Sequence, residues 1–178
     1  PHIDRKIAYF LEGVNADSSK IVDENGEPLV VYHGTNGYES MRVWDERTKQ
    51  YNTSYGSFTI FKRTVDGLHN AGHFFSSDES NAGGYGSTLY ATYLNIKNPL
   101  TIDCGGADYS VIRHNGEVHD TYEWAEIAER GGYDGVVFKN VRDGVDYGAM
   151  QNTTDEYVAF RSNQIKSATD NNGDFSRN

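Results

Sequence analysis

The sequence predicts a mixed α+β domain dominated by short strands, and three observations carry that expectation. Glycine is abundant at 19 residues and proline scarce at 3, which favours many turns and β structure over long helices. The runs richest in β formers are short and end near Gly, Asn or Pro, as in Leu29-Val30-Val31-Tyr32 and Leu89 to Ile96. Helical spacing is confined to brief stretches, the clearest being Thr121 to Arg130. A chain of 178 residues suits one domain and can bury a sizeable core without staples. Hydrophobic content is low at 37 %, but aromatics reach 13 % with 13 Tyr, which bury area while keeping a polar tip.

The elements follow in order. Ile3, Ile7, Phe10 and Leu11 stand at helical spacing before Gly13, so residues 3–12 read as a short amphipathic helix. Lys20 to Asp23 and Leu29 to Tyr32 flank Glu24-Asn25-Gly26-Glu27-Pro28, which reads as a hairpin. Its second strand is four apolar residues long and ends on His33-Gly34-Thr35; a strand that buried holds its end still, which suits a binding or catalytic group. From Asn36 to Asn70 the pattern dissolves into a long excursion with one strand at Ser57 to Phe61. Gly72 to Phe75 reads as a short buried strand, and Asp78 to Ala82 as the start of a helix capped by Ser77 or Asp78. Leu89 to Ile96 is a strand ended by Lys97-Asn98-Pro99, with Leu100 to Ile102 resuming it. Trp124, Ile127 and Ala128 stripe the helix at Thr121 to Arg130, which Gly131-Gly132 stops. Gly135 to Phe138 is a strand, Val141 to Thr154 a loop, and Glu156 to Phe160 a last strand ending near Ile165. Residues 1–166 therefore form one domain, and residues 167–178, almost without apolar side chains, a loose tail.

Composition removes several function classes. A net charge of −10 argues against binding duplex nucleic acid, because phosphate attraction needs a basic surface. Arg42, Arg47, Lys49, Lys62 and Arg63 cluster loosely and read as solvated loop charges. The single cysteine, Cys104, excludes an internal disulfide and a zinc cluster. His114 and His119 are five apart with no third ligand in a suitable pattern, so no metal is expected. No apolar run has the length of a membrane-spanning helix, and the start at Pro1 rather than Met suggests a piece of a longer chain. There is no Gly-x-Ser-x-Gly elbow, no Walker A loop and no Gly-x-Gly-x-x-Gly after a strand.

Three pieces remain. One is His33-Gly34-Thr35; another is Gly72-His73-Phe74-Phe75 with Tyr85 ten residues after Phe75; the third is Asp155-Glu156-Tyr157-Val158, a carboxylate opening an apolar strand after a long loop. Taken singly, each has an ordinary explanation: a structural histidine, a packed aromatic, a solvated strand edge. In this order they resemble the diphtheria-toxin and poly(ADP-ribose) polymerase-like His-Tyr-Glu branch of ADP-ribosyltransferases. The wording around them (Val-Val-Tyr-His-Gly-Thr, Asn-Ile-Lys-Asn-Pro-Leu, Gln-Ile-Lys-Ser-Ala) is similar to ADP-ribosyltransferase domains of phage polyvalent proteins and bacterial polymorphic toxins.

The resemblance implies an ADP-ribosyltransferase-like split β-sandwich with few short helices, and NAD as the substrate. It implies that Gly34 leaves its backbone N–H and C=O open to the nicotinamide carboxamide, where a side chain would obstruct. Tyr85, with Phe74 on the other side, would sandwich the nicotinamide ring, aromatic faces attracting the cationic pyridinium. His33 would fix the ribose and Thr35 would help position NAD. Glu156 would hold the ribose 2′-hydroxyl and stabilise the oxocarbenium-like state. Ala82 stands where many of the polymerases have a Ser that touches the carboxamide, and Thr154 where arginine-modifying relatives carry Glu or Gln. The loop from Val141 to Asp155, with Arg142, Asp143, Asp146, Tyr147, Met150 and Gln151, would face the acceptor and names none.

The expected activity is a mono-ADP-ribosyltransferase that modifies a macromolecule, a protein, as a toxin or effector domain. It would act in the cytoplasm of its own host or of a target cell, as part of a larger secreted, injected or phage-borne protein, with an immunity protein as a partner and no membrane. An NAD glycohydrolase with the same triad and a catalytically silent nucleotide- or partner-binding module of this fold are the alternatives.

Overall fold

The computed structural model describes residues 18–35, 42–45, 50–53, 71–86, 88–143 and 152–169. In chain order these form β1 (Val31–Thr35), β2 (Arg42–Asp45), β3 (Gln50–Thr53), β4 (His73–Ser76), α1 (Glu79–Gly83) and β5 (Thr88–Leu94). There follow β6 (Pro99–Asp103), β7 (Ile112–His114), β8 (Glu117–His119), α2 (Thr121–Arg130), β9 (Gly135–Val141), β10 (Thr154–Ala159) and β11 (Ile165–Ser167). The helix expected at 3–12 and the strand at 57–61 lie outside the described residues.

Seven strands hydrogen-bond in the order β11-β5-β1-β4-β10-β9-β6, all pairs antiparallel except β6 with β9. A flat ladder would set β11 and β9 five strand steps, about 24 Å, apart. Yet Ile165 of β11 and Val137 of β9 belong to one buried cluster, together with Val31, Phe75, Leu94, Ile96 and Tyr157. The Gln164 amide also donates to the Asp134 carbonyl (2.7 Å), tying the entrance of β11 to that of β9. The ladder is therefore folded over on itself into two layers around this core, the expected α+β split β-sandwich. A second core lies on the outer face of the β4-β10-β9-β6 half, where Trp124, Ala125 and Ala128 of α2 pack with Ile102, Val136, Phe138 and Val158.

α2 forms as the sequence predicts. Asp120 and Glu123 close a reciprocal capping box, Arg130 occupies the last turn, and Gly131 caps the end. The Trp124 indole N–H donates to the Ile112 carbonyl (3.0 Å), which ties the helix to the β7–β8 hairpin. Asp78, one of the two expected caps, accepts from the Asn81 amide and starts α1. The hairpin leading to β1 is present as a tight loop, with a bridge between Val22 and Pro28 and the Asp23 carboxylate accepting from the Asn25 and Glu27 amides.

Other elements differ from expectation. β2 and β3 pair in the stretch expected to hold no strand before Ser57, four-residue strands being too short for alternation to stand out. β7 and β8 were missed although Asn115-Gly116 between them signals a two-residue turn, and both residues take positive φ (49° and 84°) as such a turn requires. The last strand is two: β10 ends at Ala159, and a 3-10 turn at Ser162–Gln164 separates it from β11. Ser167, where the loose tail was expected to begin, is the buried final residue of β11 and bonds the Thr169 hydroxyl (3.2 Å). Cys104 is a buried free thiol.

Candidate active site

β1 and β4 hold the two halves together through a single pair, Tyr32 opposite Ser76, and then part. Why they part is visible in the hydrogen bonds. His33 Nδ1 lies 2.7 Å from the Phe74 carbonyl, so an imidazole takes an acceptor that a continued ladder would offer to Gly34. Gly34 is turned the right way to have used it. In β5 the Ala91 carbonyl accepts from Ala168 on the β11 side, so Tyr90 and Thr92 face β1 and bond His33 and Val31. By alternation the N–H and C=O of Gly34 point away from β5, into the opening.

A cavity of about 280 Å³ occupies that opening. Its floor is one face of the sheet: Tyr32, Ser76 and Glu156 stand in one cross-strand row, and Gly34 and Phe74 stand two residues along on the same face. Asn81, Ala82 and Tyr85 close it from α1 and the turn after it, and Tyr122 from α2. Six of the seven residues that the sequence nominated line this one space, namely His33, Gly34, Phe74, Ala82, Tyr85 and Glu156. Thr35, at the end of β1 opposite Thr88, does not.

Gly34 is a glycine for a reason the sequence did not reveal. A Cβ at this position would sit 1.7 Å from the Ala82 carbonyl oxygen, because α1 crosses directly over the strand. The side chain that glycine avoids would strike the helix rather than a ligand.

Glu156 is aimed by a bulge. Thr154 pairs with Val141 but Glu156 with Phe138, so β9 carries one extra residue there. Asn140 takes the strain with φ of 53°, and its amide donates to the Asp155 carboxylate (2.9 Å). Glu156 is thus the third residue of β10 rather than its head, 4 % exposed, and its Oε2 is buried with no hydrogen-bond partner among the described residues. Burial above all, then the charge of Asp143 and a hydrogen bond shared with it, raises the Glu156 pKa to about 9. Thr154 is spent elsewhere, its hydroxyl bonding those of Ser76 (2.9 Å) and Ser77 (3.2 Å).

His33 is held neutral. Burial pushes its pKa down, partly opposed by the bond to the Phe74 carbonyl. A carbonyl only accepts, so Nδ1 carries the proton and Nε2 the lone pair. Tyr85 is 41 % exposed at the cavity mouth, and its hydroxyl donates to the Asp143 carboxylate. Burial and that bond raise its pKa, which keeps the hydroxyl protonated. The Asn81 side chain donates to the Asp143 backbone carbonyl, so Asp143 is held from two sides.

Sequence reasoning missed two lining residues that matter. Tyr122 packs its ring 4.9 Å from that of Phe74 at 51°, making an aromatic wall. It lies off the Trp124 stripe of α2, and nothing in its spacing distinguishes it from a surface tyrosine. Asp143 was one of several polar residues in a glycine-rich loop. By contrast His114 and His119 lie away from the cavity, both edge-on to Trp124, with His119 between Glu117 and Glu123.

A neutral histidine, a buried carboxylate and an aromatic wall around an outward-facing backbone amide can bind an aromatic carboxamide and stabilise a cation next to it. No curated protein matches the chain. A family model described as ADP-ribosyltransferase in polyvalent proteins matches residues 23–175, from the loop before β1 to beyond β11. The chain belongs to this family of ADP-ribosyltransferases, and the cavity lies within the matched span.

Proposed function

We propose that the domain cleaves the nicotinamide–ribose bond of NAD and transfers one ADP-ribose to a macromolecular acceptor, a protein, as a toxin or effector acting in a cytoplasm. The observation that carries this reading is the buried Oε2 of Glu156, unpartnered among the described residues, in the cavity that also holds His33 and Tyr85. A buried acceptor without a donor costs about 1–3 kcal/mol. A ribose hydroxyl would relieve that cost, and the ionised carboxylate would stabilise the positive charge that develops as the glycosidic bond lengthens.

The other residues have matching tasks. The Gly34 N–H and C=O present to a carboxamide the same donor–acceptor pair that a neighbouring strand would present. Phe74 and Tyr122 form one aromatic wall and Tyr85 stands at the mouth, where a pyridinium ring would find π faces. His33 would fix the ribose through a hydrogen bond to one of its hydroxyls. The net charge of −10 favours a protein over a duplex nucleic acid as acceptor, and a toxin role brings an immunity protein as partner.

Incubating the domain with labelled NAD and cell lysate tests the reading. Label should appear on a protein with wild type and vanish with Glu156→Gln. Nicotinamide release without label would instead identify a glycohydrolase, and no turnover would sink both. Tyr85 gives an independent check. Tyr85→Phe keeps the ring and should bind NAD nearly as wild type does, whereas Tyr85→Ala should lose roughly 0.5–2 kcal/mol of affinity in a titration. Equal losses would refute stacking.

A further inference from the structure

We infer that Asp143 is the general base that takes the proton of the acceptor nucleophile. The inference rests on the proposed NAD chemistry of the same cavity. Asp143 lines that cavity beside Glu156, with its Oδ1 accepting from the Tyr85 hydroxyl and its backbone carbonyl from Asn81.

The reaction needs two anionic services, and one carboxylate is badly placed to give both. The electron pair of the C1′–N1 bond leaves with nicotinamide, so C1′ becomes electron-poor and a carboxylate must sit against the sugar. Glu156 answers to that, fixed on β10 with an oxygen kept unpartnered. The acceptor then forms its bond to C1′ from the other side and must lose a proton to something near the entrance. Asp143 is anchored by the residues that frame the mouth. Glycoside hydrolysis commonly divides its work between two carboxyl groups in the same way, one of them serving as base for the incoming nucleophile. Thr154, which opens β10, has its hydroxyl committed to Ser76 and Ser77.

The bookkeeping is simple. The acceptor X–H gives its electron pair to C1′ and its proton to Asp143, the C1′–N1 pair leaves on neutral nicotinamide, and solvent removes the proton afterwards. An acceptor that arrives without a proton needs no base. Azide is such a nucleophile, and it separates the base from every other role.

Asp143→Asn keeps the shape and the acceptor atom for Tyr85. It should bind NAD like wild type yet release nicotinamide about 100- to 10,000-fold more slowly with water or protein as acceptor. Sodium azide should restore roughly tenfold or more of that loss, yielding ADP-ribosyl azide, and should not restore Glu156→Gln. Wild-type rate in Asp143→Asn overturns the inference while leaving the NAD reading intact. A faster variant overturns it too, making Asp143 a plug, and a loss that azide does not repair reduces Asp143 to a positioning residue. No nicotinamide release from the wild type would remove the proposed function and this inference together.

Discussion

Glu156→Gln should abolish turnover while making the protein more stable at pH 8. The two effects have one cause. The site needs a negative charge next to a developing cation, and the fold supplies it by burying a carboxyl with one oxygen unpartnered among the described residues. Loss of one preorganised electrostatic group of this kind lowers kcat by about 100- to 1,000-fold. The stability effect follows from the raised pKa. The unfolded chain releases the Glu156 proton near the ordinary 4.5, whereas the folded chain holds it to about 9. Between those values the folded state binds more protons than the unfolded state, so stability falls as pH rises. Glutamine has the same shape and no proton to lose. Thermal melts from pH 5 to 8.5 should therefore show the wild type losing ground to Glu156→Gln as pH rises, with the curves closest at pH 5. Parallel curves would mean that Glu156 is not strained by its burial. In the same interval wild-type kcat/KM should rise with pH, because only the ionised carboxylate does the work. His33, Tyr85, Tyr122 and Asp143 face the same cavity, and burial pushes the His33 pKa below its ordinary value.

Much of this site was legible in the sequence, and the reason is local. His33, Gly34, Phe74, Tyr85 and Glu156 sit on short strands or just after a capped turn, where a few neighbouring residues fix the geometry. Asp143 and Tyr122 were not legible because their roles are set by pairings 58 and 48 residues away in sequence, with Tyr85 and Phe74. The same holds for the fold. The α2 capping box is written within four residues, whereas the closure of the sandwich depends on Ile165 meeting Val137. The Asn115-Gly116 hairpin was legible and overlooked, since three-residue strands leave turn chemistry as the stronger signal.

Gly34→Ala is the second large effect expected, and it tests why that glycine is there. Alanine keeps the backbone N–H and C=O, so a role confined to presenting them would survive. The added Cβ cannot be accommodated at 1.7 Å from the Ala82 carbonyl, and a strand in the middle of a seven-stranded ladder yields less readily than a five-residue helix. α1 should lift by more than 1 Å and carry Asn81, Ala82 and Tyr85 with it. Overpacking of this sort costs about 1–3 kcal/mol, which in a domain of this size lowers Tm by roughly 2–4 °C per kcal/mol. Displacing binding groups by about 1 Å costs on the order of 100-fold in rate. The expected result is a folded protein, melting several degrees lower, with NAD turnover nearly lost and Tyr85 quenched less by NAD in a fluorescence titration. Full activity in Gly34→Ala would show that α1 is free to slide, and the rigid fit of helix over strand would then not be what shapes the cavity.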